Sequence, residues 1–219
     1  MQSSGIENIA ERDIPPAPWQ LQGSACVSLW RLPTEALPDS APGIRFVDVA
    51  GHTLVATLWA RYAPGGTLSY DELAVAVMAR GAGLFNPACS IINIWVSDPL
   101  AAAGGTRLWA IPKELANFAG ELSALGRGAA VRATDQQGNT LASLQFESRF
   151  DIPGTLPLQG FIIQSGAGGP IRTRCAVKGK ARSGRALWDF PASGPLAFLH
   201  GRTPFVSLRM DSLQGRFGL

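Results

Sequence analysis

The run Gly105-Thr106-Arg107-Leu108-Trp109-Ala110-Ile111-Pro112-Lys113-Glu114-Leu115 sets a lysine directly after a proline, at the end of an apolar stretch. Only three lysines, Lys113, Lys178 and Lys180, occur among 19 Lys plus Arg, so arginine carries the generic positive charge and a lysine in apolar company is informative. Read as extended chain, Thr106 to Ile111 places Arg107, Trp109 and Ile111 on one face and Leu108 and Ala110 on the other, with Pro112 ending the ladder. Lys113 then emerges at a strand terminus beside large apolar side chains, the setting in which lysine serves as an amine catalyst. A free lysine amine, with a pKa of about 10.4, is neutral in roughly one molecule in a few thousand at pH 7, and only the neutral form attacks a carbonyl. Apolar surroundings disfavour the ammonium and raise that fraction.

Around this stretch the chain reads as strands and turns. It holds 25 Gly and 16 Pro scattered between short apolar runs, which predicts a mainly β protein with minor α content. Residues 1–20 end in Ile14-Pro15-Pro16-Ala17-Pro18-Trp19 and are expected to form an extended arm, leaving residues 21–219 as a single domain. Strands are expected at Gly23–Trp30, Gly43–Val49, His52–Tyr62, Ala129–Thr134, Thr140–Phe150, Ala197–Leu199 and Phe205–Met210. A turn capped by Thr34 is expected near Thr34–Leu37, and a short helix over Asn117–Leu125. Pro64-Gly65-Gly66 is a turn, and Asp135-Gln136-Gln137-Gly138-Asn139 is a hairpin signal. After the first of these turns, Leu73, Val75 and Val77 alternate with Glu72, Ala74, Ala76 and Met78, so Glu72 shares a face with small alanines.

The totals exclude several classes. A chain of 219 residues with 46% hydrophobic content buries a sizeable core, and a formal net charge of +3 is too small to argue for nucleic acid or an anionic membrane. Cys26, Cys89 and Cys175 are odd in number and lack metal-ligand spacing, which predicts reduced, buried thiols in a cytoplasm. Glu7, Glu11 and Asp13 with no apolar stretch near them do not read as a signal peptide. The charge-poor stretch Gly81–Ser97 is broken by Gly83, Asn86, Pro87, Ser90 and Asn93 and is a poor membrane span. His52 and His200 have no partners at ligand spacing, so no metal is expected. The cluster Arg172, Arg174, Lys178, Lys180, Arg182 and Arg185 lies in an alternating stretch without interleaved aromatics and is expected to be a solvated hairpin. Gly104-Gly105 reads as a turn, and Ser165-Gly166-Ala167-Gly168-Gly169-Pro170 as a loop.

The element Gly105 to Leu115 resembles that of the acetoacetate decarboxylases, whose Schiff-base lysine follows proline in a Gly-Arg-Glu-Leu-x-x-x-Pro-Lys-Lys-Leu pattern. Asp98-Pro99-Leu100-Ala101 is similar to that family's approach to the motif, and Tyr70-Asp71-Glu72 resembles its Tyr-x-Glu. The resemblance implies a closed, cone-like β-barrel, a homo-oligomer and a pocket for a small keto acid; with lysine as the electron sink, the chemistry requires no cofactor. It implies Lys113 and Glu72 as catalytic residues, with Trp109, Ile111, Phe118, Tyr70 and Arg31 as substrate-binding ones; Arg61 is an alternative to Arg31. The sequence departs from the family where Glu114 replaces a second lysine, where Thr57 stands for a second pocket glutamate, and where Gly23 falls near a pocket arginine. Three readings follow: a β-keto acid decarboxylase acting through a lysine Schiff base, an aldolase or dehydratase using the same iminium, and a binding barrel that forms no adduct.

Overall fold

The computed structural model describes residues 9–81, 88–122 and 130–219. Among these residues the strands are β1 (Trp19–Pro33), β2 (His52–Tyr62), β3 (Tyr70–Met78), β4 (Ala88–Val96), β5 (Lys113–Leu115), β6 (Asn117–Ala119), β7 (Val131–Thr134), β8 (Thr140–Asp151), β9 (Leu156–Gly166), β10 (Gly169–Asp189) and β11 (Val206–Phe217); the α-helix α1 (Pro99–Trp109) joins β4 to β5. Because β11 pairs with both β1 and β10, the strands β1-β2-β3-β4-β9-β10-β11 return to β1 as a ring of seven. The protein is thus a β-barrel, with β8, β7 and β6 continuing from β10 as a second layer.

The ring is unevenly closed at β4. There the parallel pairing to β9 covers only Ala88 with Phe161 and Cys89 with Ile162, and parallel β5 takes up the same edge farther on, from Ile94 to Val96. Between the two, the buried Gln164 side chain bridges the strands, accepting from Ser90 Oγ at 2.7 Å and donating to the Ile91 carbonyl at 3.0 Å. A side-chain amide so replaces the missing ladder bonds, which buried backbone groups require.

Period-two alternation sorts the side chains of β2 and β3 into two compartments. Val55, Trp59, Leu73, Val75 and Val77 point out of the ring into a core shared with Trp30, Trp95, Leu144, Phe146 and Phe190 of the surrounding elements. Ala56, Leu58, Tyr62, Tyr70, Glu72, Ala74 and Ala76 point into the lumen. The alternation expected after Pro64-Gly65-Gly66 is therefore real, with Tyr62 opposite Tyr70 and Ala60 opposite Glu72.

Several expectations are corrected. Thr106–Ile111 is not a strand: Thr106 to Trp109 complete α1, and Ala110 in the left-handed region (φ 53°) caps it. Gly104 and Gly105 lie inside that helix rather than in a turn. Gly43–Val49 is not a strand but makes the isolated bridges of Phe46 with Ala79 and Val49 with His52, the first held by the Val47 amide on the Met78 carbonyl and the Arg80 amide on the Arg45 carbonyl; Pro42 and Gly43 interrupt the chain just before it. Asn117–Ala119 is strand β6, paired with β7, not a helix; Ser123, Ala124 and Leu125 lie outside the described residues, as does Ala129. Ala197–Leu199 is a single 3-10 turn. The turn at Thr34–Ala36 has Pro33 at its cap position, and the Thr34 hydroxyl instead donates to Asp48. The Asp135–Asn139 hairpin stands as expected, the Asp135 carboxylate accepting from the Gln137 and Asn139 amides and Gly138 holding φ 87°. Trp19 and Gln20 belong to β1, which starts four residues before the strand expected at Gly23.

Candidate active site

Helix α1 delivers Lys113. Asp98 accepts the Ala101 amide at 2.7 Å and Pro99 occupies the first turn, the pairing that starts a helix. At the far end, the Ile111 amide donates to the Gly105 carbonyl at 3.0 Å and the Thr106 hydroxyl to the Ile111 carbonyl at 3.1 Å, so the chain folds back on the helix. Lys113 then opens β5 opposite Ile94 of β4, and its stem lies along α1: a Cβ at Gly105 would come within 2.6 Å of Lys113 Cδ and 2.8 Å of Cε. The neighbouring Gly104 makes equal room for the Trp19 indole, 2.4 Å from the Cβ it lacks.

The amine ends in a buried polar cluster. Lys113 Nζ donates to Glu72 Oε2 at 2.8 Å and to the Tyr70 hydroxyl at 3.2 Å, and lies 4.9 Å from the Tyr70 ring centroid. Tyr62 donates to Glu72 Oε1 at 3.3 Å. Lys113 and Glu72 are 8% and 6% exposed, rare burial for either type and tolerated because they pair. Burial first, and then the Glu72 charge, push both phenols well above the usual tyrosine range, so Tyr62 and Tyr70 remain O–H donors. Around the cluster Trp19, Leu58, Ile91, Ile94, Trp109, Ile111, Ile162 and Phe217 complete a cavity of about 160 Å³ inside the barrel. Trp109 is fixed edge-on against Trp19, ring centroids 4.9 Å apart.

Of the residues singled out from sequence, the fold brings Lys113, Glu72, Tyr70, Trp109 and Ile111 together. Phe118 does not join them: β6 lies in the second layer, and its ring packs edge-on against Trp59, 5.7 Å away, on the outer side of the ring. Arg31 is exposed and stands with His52, Leu54 and Met78, far along β1 and β2 from the Lys113 cluster. Arg61 is also turned away, forked onto Asp71 at 2.7 and 3.1 Å. Glu114, next to the lysine but on the opposite face of β5, is exposed and accepts from the Trp95 indole at 3.0 Å. Thr57 faces the outer core, where it accepts from the Trp30 indole at 3.1 Å. Gly23 has no room for a side chain, because a Cβ there would sit 1.9 Å from the Arg61 carbonyl oxygen. Sequence reading passed over Tyr62, although counting back across the Pro64-Gly65-Gly66 turn pairs it with Tyr70, and it passed over Gly105, for which only the packing carries a signal.

Burial also raises the thiols, Cys26 and Cys175 to about 12 and Cys89 to about 11, and all three cysteines are free. Among the described residues no group of three or more His, Cys, Asp or Glu side chains is placed to hold a metal ion. Among them, too, no helix is long and apolar enough to cross a membrane.

The fold and the site together describe a β-barrel with a buried lysine and glutamate paired in its lumen. The family model described as acetoacetate decarboxylase matches residues 11–210, and the chain belongs to that family. No curated protein sequence matches it. Among solved structures it is similar to an acetoacetate decarboxylase from Legionella pneumophila, with TM-score 0.63, 14% identity, and 92% of this chain and 85% of that one covered. It is also similar to the enduracididine biosynthesis enzyme MppR complexed with pyruvate, with TM-score 0.60, 15% identity and coverage of 93% and 88%. MppR is known as well with the condensation product of pyruvate and imidazole 4-carboxaldehyde, at TM-score 0.57, 16% identity and coverage of 93% and 87%.

Proposed function

We propose that the protein is a carbon-carbon lyase that forms a Schiff base between Lys113 and a small β-keto acid and releases carbon dioxide. The observation that carries this reading is the Lys113 amine, buried in an apolar lumen with a carboxylate 2.8 Å away to take its proton. Transfer of one ammonium proton to Glu72 frees the nitrogen lone pair, which adds to the keto carbon. Glu72 returns that proton to the hydroxyl of the adduct, water departs, and an iminium faces an ionised Glu72. The bond to the carboxylate then breaks, its electron pair moving through the new carbon-carbon double bond onto the iminium nitrogen, and carbon dioxide departs. A solvent proton taken up by Glu72 and passed to the enamine carbon regenerates an iminium, and addition of water to it releases the ketone and restores the Lys113 ammonium beside the ionised Glu72. Tyr70 and Tyr62, kept protonated, hold Lys113 and Glu72 in register and stabilise the negative charge that develops on oxygen.

Pyruvate bound to the similarly folded MppR supports a keto acid as the substrate class. The condensation product bound to that enzyme supports a second reading, in which the enamine attacks an aldehyde and the product is dehydrated. We carry a cytoplasmic, homo-oligomeric state as part of the proposal; light scattering of the purified protein reads the latter.

Incubation with acetoacetate and borohydride, followed by peptide mass mapping, is the direct test. A reduced adduct on the peptide bearing Lys113, absent in Lys113→Met, is expected; no lysine adduct across several small ketones and keto acids overturns the enzyme reading and leaves the binding barrel. Carbon dioxide release separates decarboxylation from aldol chemistry.

A further inference from the structure

The lumen does not end at the lysine. A second chamber of about 330 Å³, twice the first, is lined by Leu29, Leu54, Met78, Leu158, Cys175 and Val177, and it shares Ala56, Ala76, Cys89 and Ile162 with the first. These residues follow the inward-pointing alternation of β1, β2, β3, β9 and β10, so the two chambers are successive sections of one barrel interior. The size pattern along β3 is the reverse of a packed core. Leu73, Val75 and Val77 point outward, where they are fully buried, while the lumen receives Ala74 and Ala76. Native interiors seldom leave voids larger than a water molecule, and this one is kept open by small side chains and reaches the surface at a rim where Leu54 is 36% and Leu158 47% exposed.

The polarity of the lumen is one-sided. Lys113, Glu72, Tyr62 and Tyr70 gather at one end, and among the described residues lining the two chambers Lys113 is the one cation. A substrate lying along the lumen therefore meets the ion pair and both phenols at its carbonyl end and mainly apolar walls beyond, with Thr173 and Gln159 the neutral polar residues among them. From Glu72 to Ala76 is four residues, roughly 13 Å of strand, a span matched by a chain of roughly ten carbon-carbon bonds, each advancing somewhat less than its length of about 1.5 Å. An apolar cavity of about 150 Å³ accommodates a benzene-sized ligand, so the first chamber alone holds a short ketone and the second holds its extension.

We propose that this site takes carbonyl substrates bearing a medium-length unbranched apolar chain, the keto carbon at Lys113 and the chain threaded through the second chamber toward Leu54 and Leu158. The assignment of the carbonyl end rests on the Schiff-base reading given above; the assignment of the chain rests on the lumen alone. It predicts that a three-carbon ketone uses a fraction of the available binding surface.

Two measurements on the full-length protein, made on the same series of methyl ketones from acetone to 2-undecanone, keep those readings apart. Isothermal titration is expected to give a Kd that tightens by two- to fourfold with each added methylene, as burial of apolar surface implies, through to about 2-undecanone, the ketone whose ten carbon-carbon bonds match the span. A Kd that is flat along the series, or binding lost beyond 2-pentanone, overturns the inference. Val177→Phe and Leu54→Phe, the second at the exposed rim where folding is least at risk, are each expected to end the tightening at least two methylenes earlier; an unchanged series in both overturns it as well. Borohydride trapping of each ketone reports the chemistry separately. Adducts with acetone alongside a flat series remove the chain inference and keep the Schiff base, whereas a tightening series without any adduct removes the Schiff base and keeps the chain site.

Discussion

At Lys113 the same contacts that position the amine also burden the fold. Both members of the Lys113 and Glu72 pair are nearly out of water, and a buried ion pair is costly to break by halves because one charge is left without its partner. Lys113→Met alone is expected to destabilise the protein by about 3–5 kcal/mol in chemical denaturation. Lys113→Met combined with Glu72→Gln, which removes both charges and keeps an acceptor for Tyr62, is expected to recover most of that loss; failure of the double variant to recover it would mean that the pair is not the coupled unit the geometry describes. The two tyrosines give an independent readout, because Tyr62 and Tyr70 are the only ones in the chain and both are raised by burial and by Glu72. In the unfolded chain they titrate near 10. Above that pH the native state binds more protons than the unfolded state, so stability falls as pH rises. Tyrosinate absorbance at 295 nm is expected to stay flat through pH 10 and to appear only with cooperative unfolding; gradual ionisation in the folded protein would contradict the buried cluster.

Among the elements, α1 is where reading the chain as strand met its limit. Thr106, Trp109 and Ile111 are strand-favouring types, and Gly104 with Gly105 weaken a helix by about 1 kcal/mol each relative to alanine. The start signal was nonetheless present in Asp98-Pro99, an N-cap acceptor followed by a residue preset for the first turn. What outweighs the propensity is packing: the glycines let α1 approach the Trp19 ring and the Lys113 stem more closely than any Cβ permits. Gly105→Ala separates the two effects. The added methyl group favours the helix by about 1 kcal/mol but occupies the space of Lys113 Cδ, so thermal stability is expected to change little while adduct formation falls by about tenfold or more, as misplacement of a reacting group by ~1 Å does. An adduct yield equal to that of the parent would show that the lysine stem does not depend on this glycine.

For the molecule as a whole, the chain alone determined what local rules can carry. Alternation identified β2 in full and put Glu72 on the alanine face of β3, turn chemistry located the hairpin at Asp135–Asn139, and the proline-lysine element pointed to Lys113 and to the family. Only the tertiary structure decided which of these residues meet. Lys113 and Glu72 lie 41 positions apart and touch because β5 pairs in parallel with β4, which pairs with β3. Phe118 and Arg31 carry suitable chemistry but fall in the outer layer and at the remote end of the barrel, while Tyr62 and Gly105 belong to the site without any motif of their own. The reason is geometric: a period of two fixes which side chains share a face, whereas the partner strand, its register and the closure of the ring depend on pairings between segments far apart in the chain, and it is closure that turns an alanine-lined face into a lumen.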